Sequence, residues 1–245
     1  MDNLLSKEIR VKPNGLNIDC YECPSHHCSL LKYCLPENID LINNRKRCMS
    51  VKKGQQVLYE RTLVDKIFFI QTGKVKVYKT GINGKQQIIR LSKTGDILGH
   101  RGLNRKLYPI SAIALSDTIL CGLEVNDFVN VLQTNPNLAY HLMMFYADEL
   151  YYSEIKTRNL AQFSVREKVA DALLNIQESF KMSNECESLG VILSRQEIAE
   201  IAGTTKEQVS KNLADFKDEG IIQLNGKEIL ILDCERLKGI VGISE

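Results

Sequence analysis

Between residues 48 and 124, short apolar runs alternate with turn residues: Gln56-Val-Leu-Tyr59, Ile67-Phe-Phe-Ile70, Val75-Lys-Val-Tyr78, Ile88-Ile-Arg-Leu91, Ile97-Leu98, Ile110-Ser-Ala-Ile-Ala114 and Thr118-Ile-Leu-Cys121. Runs of this length, punctuated by glycines, predict the strands of a small β-barrel or jelly roll. Past Val125 the period lengthens to that of helices. A short helix is expected over 127–133. Pro136 opens a much longer one reaching about Gln162, because proline suits the first helical position. Along it Met143, Tyr146, Leu150, Ser153, Thr157 and Leu160 recur at alternating steps of three and four. Such a stripe is the seam by which two copies of a helix pair, although Ser153 and Thr157 weaken it. Packing of the stripe on the barrel is the competing reading.

A further helix over 165–180 carries Val169, Leu173 and Ile176 on one face. Beyond a polar loop, Ser194 and Glu197 stand three apart as a capping box that starts the next helix. Ala199 is small where two helices must approach, Gly203 supplies a left-handed turn, and Val209 anchors a second helix on the first. These constraints at fixed offsets define a helix-turn-helix. The stretch from Ile221 to Leu232, two strand-like runs around Asn225-Gly226, reads as a wing. Early residues of the second helix would enter a major groove. Glu207 can accept from a cytosine amino group, Lys211 can donate to guanine, and Ser210 can reach a base edge or a phosphate. Thr204, Thr205 and Lys206 are placed for phosphates.

A net charge of +2 is nearly neutral, so contact with nucleic acid must come from that local patch rather than from a global field. With 245 residues and 44% hydrophobic content, the chain has ample material for buried cores. No apolar run approaches the roughly 18 residues of a membrane span. The amino terminus lacks the layout of a signal peptide, which points to a cytoplasmic protein. In that reducing setting eight cysteines suggest metal binding, redox chemistry or burial rather than a disulfide framework. Three crowd into Cys20-Tyr-Glu-Cys23-Pro-Ser-His-His-Cys28, within a segment that has no clean periodicity, and Cys121 ends a strand-like run far downstream. Together they are candidate metal ligands. Zinc is one candidate metal, since Cys20-x-x-Cys23 beside His26, His27 and Cys28 is a local set. Cys34, and more weakly Cys48, compete as ligands, while Cys186 and Cys234 are expected to be structural. No nucleophile–base pair, phosphate loop or dinucleotide motif is present, so the chain is not expected to be an enzyme.

From about residue 20 to 240 the arrangement resembles the CRP/FNR superfamily of bacterial transcription regulators. The resemblance implies an α+β chain. A cysteine-rich cluster-binding segment (1–36) precedes a cyclic-nucleotide-binding-like β jelly-roll sensor (37–135). A dimerisation helix (136–162) and a winged helix-turn-helix DNA-binding domain (163–245) follow. The cyclic-AMP branch holds its nucleotide with a glutamate after a glycine and with an Arg-Ser pair; here His100 and Ile110 stand at the glutamate and arginine positions. An aliphatic side chain cannot balance a phosphate, so an effector-responsive alternative would have to use Arg101 or Arg105. The FNR branch carries three amino-terminal cysteines and a distant fourth that hold an oxygen-labile 4Fe-4S cluster, matched here by Cys20, Cys23, Cys28 and Cys121. The Cys23-to-Cys28 gap is one residue shorter than in that branch. Glu207 and Ser210 match its Glu-x-x-Ser-Arg reader of a TTGA-type half-site, but Lys211 replaces the arginine and gives up a bidentate contact. The implied partners are palindromic double-stranded DNA, a second copy of the chain as homodimer, and RNA polymerase. The implied switch is loss of the dimer when the cluster is oxidised. Where the branch has a charged residue that repels the partner helix this chain has Ser153, which leaves Glu149 as the candidate for that repulsion.

Overall fold

The computed structural model describes residues 16–26, 29–180 and 188–242. Helix α1 (Pro36–Arg45) leads into strands β1 (Arg47–Val51), β2 (Gln56–Leu58), β3 (Lys66–Thr72), β4 (Lys74–Thr80), β5 (Gln86–Lys93), β6 (Ile97–Leu98), β7 (Ser111–Ala114) and β8 (Thr118–Glu124). They form two four-stranded antiparallel sheets, ordered β1-β8-β3-β6 and β2-β7-β4-β5, as the short apolar runs predict. Helices α2 (Val125–Thr134), α3 (Pro136–Gln162), α4 (Val165–Phe180), α5 (Arg195–Ala202) and α6 (Lys206–Asp218) follow. A hairpin of β9 (Ile222–Asn225) and β10 (Glu228–Ile231) and a last helix, α7 (Cys234–Ile240), complete the order. Helix α7 has no counterpart among the expected elements. It is short, and its signal is the Asp233 carboxylate, which accepts from the Arg236 N–H.

Side-chain alternation assigns the faces of each strand. Along β3, Phe68 and Ile70 join Val75, Val77 and Leu120 between the sheets. Ile67 and Phe69 instead join an outer core with Ile39, Ile42, Phe128, Val131 and Leu138. With both faces covered, β3 reads as a continuous apolar run rather than an alternating one. The outer core also takes in Cys20, Leu31 and Leu142, so the cysteine segment, α1, α2 and the start of α3 pack as one unit on the first sheet. On the second sheet, Tyr78, Ile88 and Leu91 share a core with Ile198, Ile201 and Ala202 of α5. Gly73 turns β3 into β4 at φ +121°, where a Cβ would lie 2.2 Å from Thr118 Oγ1. Only glycine fits that corner.

Candidate functional site

The segment from residue 16 folds back over the end of α1. Asn43 holds it there: its Oδ1 accepts from the Cys20 N–H at 3.3 Å, and its amide donates to Asp19 at 2.7 Å. Lys46, just past α1, is only 3% exposed, and its ammonium donates to the Ile18 carbonyl and, at 3.0 Å, to the Cys20 sulfur. Burial pushes the Cys20 thiol up, and the ammonium pulls it back only in part. For Lys46 burial disfavours the charged form, but the sulfurs of Cys20, Cys121 and Cys48 more than reverse that and leave its pKa raised. The Cys23 sulfur lies 3.1 Å from Ser25 Oγ.

Cys20, Cys23 and Cys121 line one small cavity together with His26, Lys46 and Gln71. Cys121 on β8 stands directly opposite Cys48 on β1, with the two sulfurs 2.7 Å apart. The Cys121 thiol also donates to Gln71 Oε1 at 3.4 Å. The hydrogen bond with Cys48, and then burial, raise the Cys121 thiol far above the ordinary range. Cys34 is half-buried, does not line the cavity, and is pushed up to about 12 by burial. Cys28, His27 and Cys186 lie outside the described residues. Cys234, expected to be structural, is disulfide-bonded.

Among the described residues, no three of His, Cys, Asp and Glu stand close enough to hold a metal. The donor chemistry nevertheless fits a thiolate-held centre: three thiols face one cavity, and a buried ammonium offsets part of the charge they would carry. Metal binding would require the Cys20–Cys23 loop or Cys121 to shift, and Cys121 to part from Cys48. Sequence reasoning missed Lys46 and Gln71 altogether. Lys46 sits in the run Asn43-Asn-Arg-Lys-Arg47, and nothing in a basic run marks one member for burial.

The cysteine segment is fastened to the long helix. Tyr33 stacks on His141 with ring centroids 3.3 Å apart, and the Asn137 amide donates to the Tyr33 carbonyl at 3.1 Å. The Asn38 amide donates to Thr134 Oγ1 at 2.8 Å. Of the expected stripe, Met143 and Leu150 are 55% and 62% exposed, and Ser153 and Thr157 are exposed too. Tyr146 and Leu160 are half-buried: the Tyr146 hydroxyl donates to the His100 carbonyl at 2.7 Å, and Leu160 lies against Gly203. Glu149 is not free to repel a partner. Its carboxylate accepts from Arg90 at 2.9 Å, His100 at 3.0 Å and Arg101 at 3.2 Å. Burial works to raise its pKa, but the His100 hydrogen bond and the arginine charges hold it at about 2. Burial lowers the pKa of His100, whose Nε2 faces the carboxylate. Beside this cluster an open cleft of about 520 Å³ is edged by Lys79, Arg101, Asn104 and Arg105 and reaches Ile110.

In the head, the Ser194–Glu197 capping box is fully formed, and Gly203 takes φ 64°, ψ 40° at the end of α5. Thr205 caps α6, its hydroxyl accepting from the Gln208 N–H at 3.3 Å. Val209, Leu213 and Phe216 are buried, which leaves Glu207, Gln208, Ser210 and Lys211 exposed on the other side; Thr204 is half-buried, and Lys206 is exposed. Ser210 donates back to the Lys206 carbonyl at 2.9 Å. The head docks on β4 and β5. Buried Lys76 meets Glu197 at 3.0 Å and Glu200 at 3.8 Å, and the Gln87 amide donates to the Glu200 carbonyl.

Residues 48–135 match the cyclic nucleotide-binding domain family, and residues 167–240 match the Crp-like helix-turn-helix domain. The chain is 27% identical over 222 residues to the transcriptional activator protein anr of Pseudomonas aeruginosa, covering 88% of this chain and 91% of that protein. It is 25% identical over 208 residues to the cyclic AMP receptor protein of Thermus thermophilus, covering 84% and 93%. The solved structure of FixK2 from Bradyrhizobium japonicum shares the fold with a TM-score of 0.71 at 23% identity, over 82% of this chain and 99% of that one. Among the described residues no helix is long and apolar enough to cross a membrane.

Proposed function

We propose, for a chain that belongs to the CRP/FNR family of DNA-binding transcription regulators, that it is an FNR-like switch. In this reading it is a homodimer whose hold on DNA is set by a 4Fe-4S cluster on Cys20, Cys23, Cys28 and Cys121. The observation that carries the reading is the convergence of Cys20, Cys23 and Cys121 on one cavity walled by a buried lysine. Bound there, a cluster would supply an oxygen-sensitive redox centre.

The chain's own residues do the rest. The Lys46 ammonium offsets thiolate charge in a site that water does not reach easily. Cys121 lies on β8, which runs straight into α2, while Tyr33 ties the cysteine segment to α3 and Asn38 ties α1 to the end of α2. A change in the seating of that segment is therefore felt at the first turns of the pairing helix. Two copies joined along α3 set two α6 helices about 34 Å apart, one turn of DNA. Glu207 and Ser210 then read a TTGA-type half-site, Lys211 adds a point charge, and Thr204, Thr205 and Lys206 meet phosphates. RNA polymerase is the downstream partner.

Anaerobically purified protein is expected to be brown, with about four irons and four sulfides per chain. It should bind a palindromic TTGA-type duplex at least about tenfold more tightly than after exposure to air. Trace iron, or equal affinity in both states, removes the cluster from the switch. Cys28→Ala and Cys34→Ala in parallel decide the remaining ligand: only one of them should lose the iron.

The cleft edged by Lys79, Arg101 and Arg105 supports a second reading, a regulator that answers to an anionic effector, in line with the similarity to the Thermus cyclic AMP receptor protein. Arg101 is already committed to Glu149, and Ile110 offers the cleft only an aliphatic wall. The cysteine cavity is therefore the stronger candidate for the input.

A further inference from the structure

The pairing of β1 with β8 sets Cys48 opposite Cys121 in an unbroken register that runs from Arg47↔Gly122 to Val51↔Thr118. We propose that these two thiols are a redox site of their own, a cross-strand disulfide that peroxide forms and a dithiol reverses. Directly opposed residues on antiparallel strands hold their Cβ atoms within about 4.5–5.5 Å, close to the separation a disulfide bridges. The sulfurs are already 2.7 Å apart, so only a small rotation separates them from the bonded distance of about 2.0 Å. Both residues are half-buried rather than sealed. Cys48 borders a wide cleft of about 550 Å³, whereas Cys121 faces the inner cavity, so a small oxidant meets Cys48 first.

The chemistry balances with hydrogen peroxide as the oxidant. Peroxide converts the Cys48 thiol to a sulfenic acid and leaves as one water. The Cys121 sulfur then attacks the Cys48 sulfur: the S–S bond forms, the S–O bond breaks, and the oxygen leaves as a second water with the Cys121 proton. Two thiols and one peroxide thus give one disulfide and two waters, and a small dithiol such as dithiothreitol returns both thiols by exchange. Oxidation takes Cys121 away from Cys20 and Cys23, so the site would gate assembly of the cysteine centre. That consequence rests on Cys121 being a cluster ligand; the disulfide does not.

The test treats the full chain with hydrogen peroxide in the presence of a chelator, alkylates the remaining thiols and digests without reductant. The expected product is a peptide pair joined through Cys48 and Cys121, two hydrogens lighter than its parts and released by dithiothreitol. In Cys48→Ser, Cys121 should stay open to alkylation. Cys121 joined to another cysteine, or both thiols left alkylatable, overturns the proposal. The oxidised protein should also take up iron and sulfide at least about tenfold less than the reduced protein, and recover with dithiothreitol. Unchanged uptake by the cross-linked form would refute the gating. A cross-link that forms while the reduced protein takes up no iron would sink the cluster reading and leave the disulfide standing.

Discussion

Glu149 draws Arg90, His100 and Arg101 onto one carboxylate that is 12% exposed. Removing the carboxylate strips Arg101 of this partner and leaves Arg90 to Asp96 at 3.6 Å, and breaking a buried pair typically costs about 3–5 kcal/mol. Glu149→Gln is therefore expected to lower the unfolding free energy by about 3 kcal/mol at neutral pH, read from urea titrations. Because the folded pKa lies near 2, below the ordinary carboxylate value, this stabilisation is full above about pH 4.5 and fades as pH falls toward 2. The difference between wild type and variant should shrink over that window. A constant gap at pH 7 and pH 3 would mean that the variant acts through packing instead. None of this was readable in the sequence. Arg90 and Arg101 lie far from Glu149 along the chain, and only the closure of the sheets onto α3 brings them together. Lys46 and the Cys48–Cys121 pair were hidden for the same reason, since each depends on which strand or helix end lands beside it.

Element boundaries fared differently, because they rest on local backbone demands that particular residues meet. Pro136 at the start of α3, the Ser194–Glu197 box at the start of α5 and the glycine at its end could each be named from short-range chemistry and stand as expected. Gly203 carries a second demand that the sequence did not show. At φ 64° it closes α5, and a Cβ there would lie 2.6 Å from Leu160 Cδ2 on α3. Gly203→Ala should thus cost about 1–2 kcal/mol from the left-handed backbone alone, with a further cost from the clash. Thermal unfolding would record this as a fall of several degrees. Pairing it with Leu160→Ala removes the clash but not the backbone cost, so the double variant should be less destabilised than the sum of the two. Simple additivity would show that the helices part freely at this point.

Across the whole molecule, α3 is the element that joins the cysteine segment, the barrel and the head. Its first turns carry Tyr33 and the cysteine segment, its middle is pinned to the barrel through Glu149 and Tyr146, and its end meets the turn of the DNA-reading head. The head is referenced to the barrel as well. Glu197 caps α5 and also pairs with Lys76, so the helix that sets the angle of α6 is anchored on the barrel. Among the described residues, α3 leaves exposed an apolar face on which Met143 and Leu150 stand seven residues apart, flanked by Tyr140, Met144 and Tyr151. In a family whose members act as dimers, we propose that face as the seat of a second copy. Leu150→Asp would place a charge at the centre of such a seam, at a position that is 62% exposed within the chain. The variant should elute as a monomer at micromolar concentration and unfold at nearly the wild-type midpoint. Its affinity for a single half-site should be unchanged, but its affinity for the full palindrome should fall by about 10²-fold or more, because the second head no longer binds as part of one molecule. Gel filtration and a gel-shift titration against both duplexes would measure this. A variant that stays dimeric and keeps its grip on the palindrome would place the pairing surface elsewhere than along Met143 and Leu150.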